Sequence, residues 1–160
     1  MDLVIPKNKT IRFFFQILII TLLIVSICLI GLCLNKKPSA TPTREVVINQ
    51  QELNVLAAST PAQHYRGLSG RKDLTGLDGM IFIFSDSQVR EFVMREMNFP
   101  LDIVFIQANK IIKIEENLVP EGRQPTKIYT SGAPCDLVLE VPAGQVKEFG
   151  WQVGQEARLN

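Results

Sequence analysis

Histidine and cysteine are nearly missing from this chain. One histidine, His64, stands in 160 residues, and from Glu45 onward the only cysteine is Cys135. A region with one cysteine cannot close a disulfide within itself, so its core must hold it together. Such a lone cysteine is expected to be a small buried apolar residue. No cluster of Cys or His has the spacing of a zinc site. A nucleophile needs a base beside it, and His64 and Cys135 are the only members of a Cys–His pair, with no spacing that brings them together. No glycine-rich phosphate loop is present either, since Gly67-Leu68-Ser69-Gly70 lacks the lysine and the following helix. Met80, Met94 and Met97 could join His64 in offering soft ligands to Cu(I), but methionines in strands are expected to fill a core. No metal and no cofactor is expected.

A strong charge of one sign is also lacking. The whole chain carries a formal +1, but unevenly. From Glu45 onward there are 11 Lys/Arg and 15 Asp/Glu, 11 − 15 = −4, whereas residues 1–44 hold 6 Lys/Arg and Asp2, 6 − 1 = +5. Nucleic-acid affinity rests mainly on neutralising phosphates, so an acidic domain argues against a nucleic-acid partner.

What is present is a long apolar run, Phe13–Leu34, without a charge. Its 22 residues form a helix of about 33 Å, against a hydrocarbon core of about 30 Å. The apolar core of a cleaved signal peptide is shorter, about 7–15 residues. Cys28 and Cys33 follow Ile27 and Leu32, where a lipoprotein signal needs a small residue. The run is therefore expected to be an uncleaved signal anchor in the lipid bilayer. Lys7, Lys9 and Arg12 before it, against Lys36 and Lys37 after it, favour a cytoplasmic N-terminus. The expected organisation is a cytoplasmic tail (1–12), a transmembrane signal anchor (13–34), a linker (35–45) rich in proline and small polar residues, and an extracytoplasmic domain (46–160) at the cell membrane.

Within the domain, Val46–Ile48 and Leu53–Leu56 read as strands. Thr60, Pro61 and Gln63 form the T-x-x-Q start of a short helix, and Gly67 ends it. A second short helix is expected over Ala143–Phe149, ended by Gly150. Gly79–Phe84 is apolar on both faces, as a central strand would be. Leu101–Gln107 and a strand from Lys110 form a hairpin about Ala108-Asn109, with Asn109 suited to positive φ. In that second strand Ile112 and Ile114 are expected to share one face. Asp136–Val141 and Glu156–Leu159 complete the set. The fold class is α+β, a mostly antiparallel β sandwich or barrel with two short helices, preceded by one transmembrane helix.

The segments resemble the bacterial and archaeal family called "domain of unknown function 192" over about Leu53–Leu159. The most specific part is Met94-Arg95 followed by Pro100-Leu101-Asp102-Ile103. Arg66-Gly67-Leu68, the Gly79–Phe84 strand and the V-L-E-x-x-A-G run at Val138–Gly144 support it. The resemblance implies a compact, mostly β domain, often behind an export signal, and no established activity. Members usually read F-W-M-K-N-T where this chain has Phe92-Val93-Met94-Arg95-Glu96-Met97, so a large aromatic and an amide are absent here.

Charges embedded in apolar segments are the candidate site. Treating Phe92–Met97 as a strand, one charge must point inward on either face, and a buried lone charge costs several kcal/mol, so a partner is needed. Asp102 with Arg95 or Arg66 is the expected pair, either as an ion pair fixing two strands or as the floor of a polar pocket lined by Phe92 and Met94. The candidate ligand-binding residues are Arg66, Phe92, Met94, Arg95, Glu96 and Asp102; no catalytic residue is identified. The function expected is a membrane-anchored extracytoplasmic binding or accessory module for a small-molecule or envelope-polymer ligand. The alternatives are a small carbohydrate-active hydrolase using two of Glu96, Asp102, Glu115 and Glu116, and a purely structural envelope module.

Overall fold

The structure, a computed structural model, describes residues 9–34 and 41–160, in two separate compact units. The expected tail falls largely, and the linker partly, outside the described residues. The first unit holds the helix α1 (Lys9–Leu34), 26 residues long. Its side chains are described only from Phe13 to Cys28, and these are almost all exposed. Among the described residues no helix is long and apolar enough to cross a membrane, so the transmembrane helix expected over 13–34 finds no support there.

The second unit runs β1 (Thr43–Ile48), β2 (Gln51–Ala58), α2 (Pro61–Arg66), β3 (Gly79–Gln88), β4 (Glu91–Phe92), β5 (Leu101–Gln107), β6 (Lys110–Leu118), β7 (Tyr129–Thr130), β8 (Cys135–Pro142), α3 (Gln145–Phe149) and β9 (Ala157–Leu159). The fold is therefore mostly β with two short helices in this unit. β1 begins inside the stretch expected to be linker, because Thr43, Arg44 and Glu45 pair with Leu56, Val55 and Asn54 of β2.

Seven strands form one sheet in the order β6-β5-β8-β3-β2-β1-β9, antiparallel throughout except for the parallel pair β2–β3. The sheet curls into a half-barrel whose edge strands meet at one end. There Ile111 donates its amide to the Gln155 carbonyl at 2.9 Å, and Ala157 donates to Asn109 at 2.9 Å. Both tight hairpins turn through paired positive-φ residues, Asn49-Gln50 and Ala108-Asn109, matching the right-handed twist of the strands they join.

Curling makes two cores. One draws residues from every strand of the sheet, among them Ile48, Val55, Ile81, Val104, Ile111 and Leu139, with Val146 and Trp151 closing one end. The other lies on the opposite face, where Phe82, Phe105, Ile103 and Val138 are covered by Leu68, Met94 and Met97 from the connecting segments. Strands buried on both faces explain why β5 reads as a continuous apolar run interrupted only by Asp102. Met80, Met94, Met97 and Cys135 are buried as expected.

Two expectations change. Ile112 and Ile114 do not share a face: Ile114 packs on the first core and Ile112 on the second. A register shift opposite Phe105–Ile106 inserts an extra residue, and the extra residue reverses the alternation. The strand assumed over Phe92–Met97 stops at Phe92; Arg95 forms an isolated bridge with Glu121, and Glu96 turns the chain at φ 51°.

Candidate functional site

Asp102 is fully buried, and no arginine accompanies it. Its Oδ1 accepts the Asn117 amide at 2.8 Å, while Oδ2 accepts the amides of Gly144 at 2.9 Å and Val146 at 3.1 Å. Each donor has a local cause. Asn117, at φ 57°, stands where β6 slips register against Leu101–Ile103, which frees its N–H from the ladder. Gly144 and Val146 open α3, whose N-cap Gly144 has no side chain to cap with, so Asp102 caps the helix from a neighbouring strand. The expected ion pair with Arg95 or Arg66 is replaced by three backbone donors, and Asp102 serves the fold rather than a cleft.

Elsewhere the sequence builds an open cleft. α2 is started by the predicted box: the Thr60 hydroxyl accepts the Gln63 amide at 3.3 Å, and Gln63 Oε1 accepts the Thr60 amide at 3.0 Å. His64 then ties α2 to the sheet. Its Nε2 lies 3.0 Å from the Ala58 carbonyl and 3.1 Å from that of Ile83, so this nitrogen carries the proton, and the ring stands 4.5 Å from Phe84. Between α2, β3 and the segment from Val89 to Met97 opens a cleft of about 620 Å³. This volume lies within the range of small-molecule sites, about 300–1,000 Å³.

Of the six expected residues, Arg66, Phe92 and Arg95 line this cleft. Glu96 instead lines an adjoining cleft of about 570 Å³ together with Arg66 and Arg95, and its carboxylate pairs with Arg123 at 3.0 Å. Met94 is wholly buried in the second core and lines neither. The four carboxylates considered for hydrolysis line no common cleft: Asp102 is buried against backbone, Glu96 faces Arg123, Glu115 pairs with Lys113 at 2.8 Å and Glu116 is exposed on β6.

The walls are aromatic and the rim cationic. Phe92 meets Phe82 edge-on at 4.9 Å, and the Arg90 guanidinium lies 3.9 Å above Phe84. Arg95 lies 4.1 Å above the Tyr65 ring and donates to the Tyr65 carbonyl at 2.5 Å. Arg90 Nη2 is held by Asp86, but its buried Nε has no partner. The Arg66 guanidinium makes no ion pair or hydrogen bond among the described residues, although its backbone carbonyl accepts the Ser69 amide at 3.1 Å.

The floor carries a residue not singled out from the sequence. Glu140 of β8 lies opposite Met80 and Ile103, is 6% exposed, and leaves Oε2 without a hydrogen-bond partner. Burial alone pushes its carboxyl up to about 8, so at neutral pH it holds a proton. A signal for it existed: Glu140 interrupts the apolar strand Leu137–Val141, as Asp102 interrupts β5. Alternation places it on the Val138 face, which the covering segments bury.

The fold and site thus define a small curled β domain with one face roofed by connecting segments and an arginine-rimmed, aromatic cleft beneath the roof. The chain belongs to the family of uncharacterised proteins called domain of unknown function 192, which matches residues 44–159. Two solved structures are similar. One, from Sinorhizobium meliloti 1021, is described as a candidate transcription regulator; it is 29% identical, with a TM-score of 0.69 over 77% of this chain and 98% of its own. The other, a protein of unknown function from Novosphingobium aromaticivorans DSM 12444, is 25% identical, with a TM-score of 0.64 over 76% and 89% of the two chains. No curated protein matches the chain.

Proposed function

We propose that this protein is a membrane-anchored, extracytoplasmic binding or accessory module whose ligand occupies the arginine-rimmed cleft. The carrying observation is that Arg66 joins Phe92 and Arg95, some 26 positions further along the chain, in lining one cleft over a buried carboxyl that has an unpartnered oxygen. Ordinary folding leaves few buried polar atoms unpaired, and a ligand is one way to complete them. The anchor is supported by the uncharged Phe13–Leu34 run within α1, by Lys7, Lys9 and Arg12 before it, and by the exposed apolar side chains between Phe13 and Ile27. The regulator role named for the Sinorhizobium protein is not carried over, because residues 45–160 have a net charge of 11 − 15 = −4, unfavourable for phosphate contacts.

Glu140 favours one second reading, a small carbohydrate-active hydrolase. A carboxyl that keeps its proton near neutral pH suits a general acid, and Glu91 lines the same cleft as a second carboxyl. The purely structural envelope module is the reading left if no ligand is found. Protease protection in spheroplasts tests the topology, with the 41–160 unit expected to be cleaved from outside. A thermal-shift screen of the detergent-solubilised full chain against envelope sugars and small organic ions tests the cleft. Stabilisation that Phe92→Ala abolishes supports binding, and glycan turnover lost in Glu140→Gln would support the hydrolase.

A further inference from the structure

We propose that the cleft takes a small organic acid, its carboxylate among Arg66, Arg90 and Arg95, its apolar body along Phe84 and Phe92, and one acceptor oxygen bonded by the Glu140 carboxyl. The proposal rests on the cleft being a ligand site and specifies the chemical class.

Charge gives the sign. The ionisable groups facing the cleft are His64, Tyr65, Arg66, Arg90, Glu91, Arg95 and Glu140. His64 Nε2 is taken up by two backbone carbonyls, and Glu91 is the exposed acid among them. Asp86 already pairs with Arg90 at the rim, so three guanidiniums stand against two carboxylates, Asp86 and Glu91, and the remaining positive charge disfavours a cation. It favours an anion, which arginine grips with two parallel hydrogen bonds.

The buried polar atoms give the chemistry. Arg90 Nε is a donor without an acceptor. Glu140, protonated at neutral pH, also presents an O–H donor. Both lack an acceptor, and the oxygens of a carboxylate or carbonyl are acceptors. Phe82, Phe84 and Phe92 then select for an apolar body rather than a bare phosphate. Glu140 adds a pH dependence. Once it loses its proton near pH 8, a carboxylate replaces the donor and repels the anion, so affinity falls as pH rises through that value.

Calorimetry on the full chain in neutral detergent, with 2-naphthoate, 2-naphthamide, 2-naphthylmethylamine and inorganic phosphate as probes, tests this. We expect 2-naphthoate to bind at least ten-fold tighter than the other three. Arg66→Ala, an exposed position, should weaken it at least ten-fold without unfolding the protein. Binding should fall between pH 7 and 9 in the native chain, while Glu140→Gln, which cannot ionise, keeps it flat. Equal or tighter binding of the amine, naphthoate affinity unaffected by Arg66→Ala, or affinity constant from pH 7 to 9 would overturn the organic-acid class. If the amide or amine binds and Phe92→Ala abolishes it, the cleft remains a site and only the ligand class fails. If no probe binds, the organic-acid class fails, and a blank envelope-ligand screen would remove the cleft reading as well.

Discussion

A β-carbon on Gly79 would lie 2.1 Å from the carbonyl oxygen of Glu140. Gly79 opens β3 beside the strand that carries the buried carboxyl, and the obstructing atom is backbone, which cannot swing aside. The strands can come this close, and Glu140 can hold its place on the cleft floor, because position 79 has no side chain. Gly79→Ala is expected to push β3 from β8 and cost about 1–3 kcal/mol, read as a lower urea midpoint. An unchanged midpoint would show that the pair can separate freely.

Asp102→Asn tests the cap. Three N–H groups converge on two carboxylate oxygens. An amide would turn its NH₂ towards at least one of them, leaving a buried donor opposed by a donor. The expected loss is about 3 kcal/mol by denaturant titration, with cleft ligands binding the folded fraction unchanged. Arg66→Ala should alter stability by less than about 1 kcal/mol, because no ion pair joins it to Asp102. A large loss in Arg66→Ala and none in Asp102→Asn would restore the arginine pairing.

Glu140 predicts how stability follows pH. Its folded value of about 8 lies above the ordinary 4.5 because burial penalises the charged form. Between those values the native state holds a proton that the unfolded chain has released. Stability from this group is therefore full at low pH and declines as pH rises, by at most about 1.4 kcal/mol per pH unit, levelling off above about 8. Glu140→Gln lacks this decline. The difference in Tm between variant and native protein should move in the variant's favour from pH 5 to pH 8, whatever its fixed offset. Parallel curves would show that Glu140 is ionised when folded.

Glu96 occupies the left-handed region at φ 51°, which costs an ordinary L-residue about 1–2 kcal/mol and asparagine less. Its exposed pair with Arg123 returns no more than about 1 kcal/mol. Glu96→Asn is therefore expected to raise stability by about 0.5–1 kcal/mol, measured by denaturant titration. An asparagine at this position would thus have a backbone advantage independent of any ligand.

Cys135 is fully buried and burial pushes its thiol up, so the reactive thiolate is scarce. Iodoacetamide followed by peptide mass mapping should leave Cys135 unmodified in the native protein and alkylate it in urea. Native-state labelling of Cys135 would mean that the second core opens readily.

The sequence alone determined most of the elements and the family. Capping residues, an apolar run with two-sided burial and a turn needing positive φ act within a few residues, so Thr60–Gln63, Gly79–Phe84 and Ala108-Asn109 were legible where they stand. The family motif at Met94–Ile103 identified the domain for the same reason, since it is local. Only the tertiary structure decided what the buried charges do. Asp102 and Glu140 look alike in sequence, each an acid within an apolar strand. One meets three amides because a register shift in β6 and the start of α3 converge on it; the other meets none, because the segments that cover β8 leave a cleft there. Which amides converge and where a roof stays open depend on contacts between residues tens of positions apart, including the extra residue that reverses Ile112 against Ile114. Periodicity records which face a side chain takes and holds no information about what that face will meet.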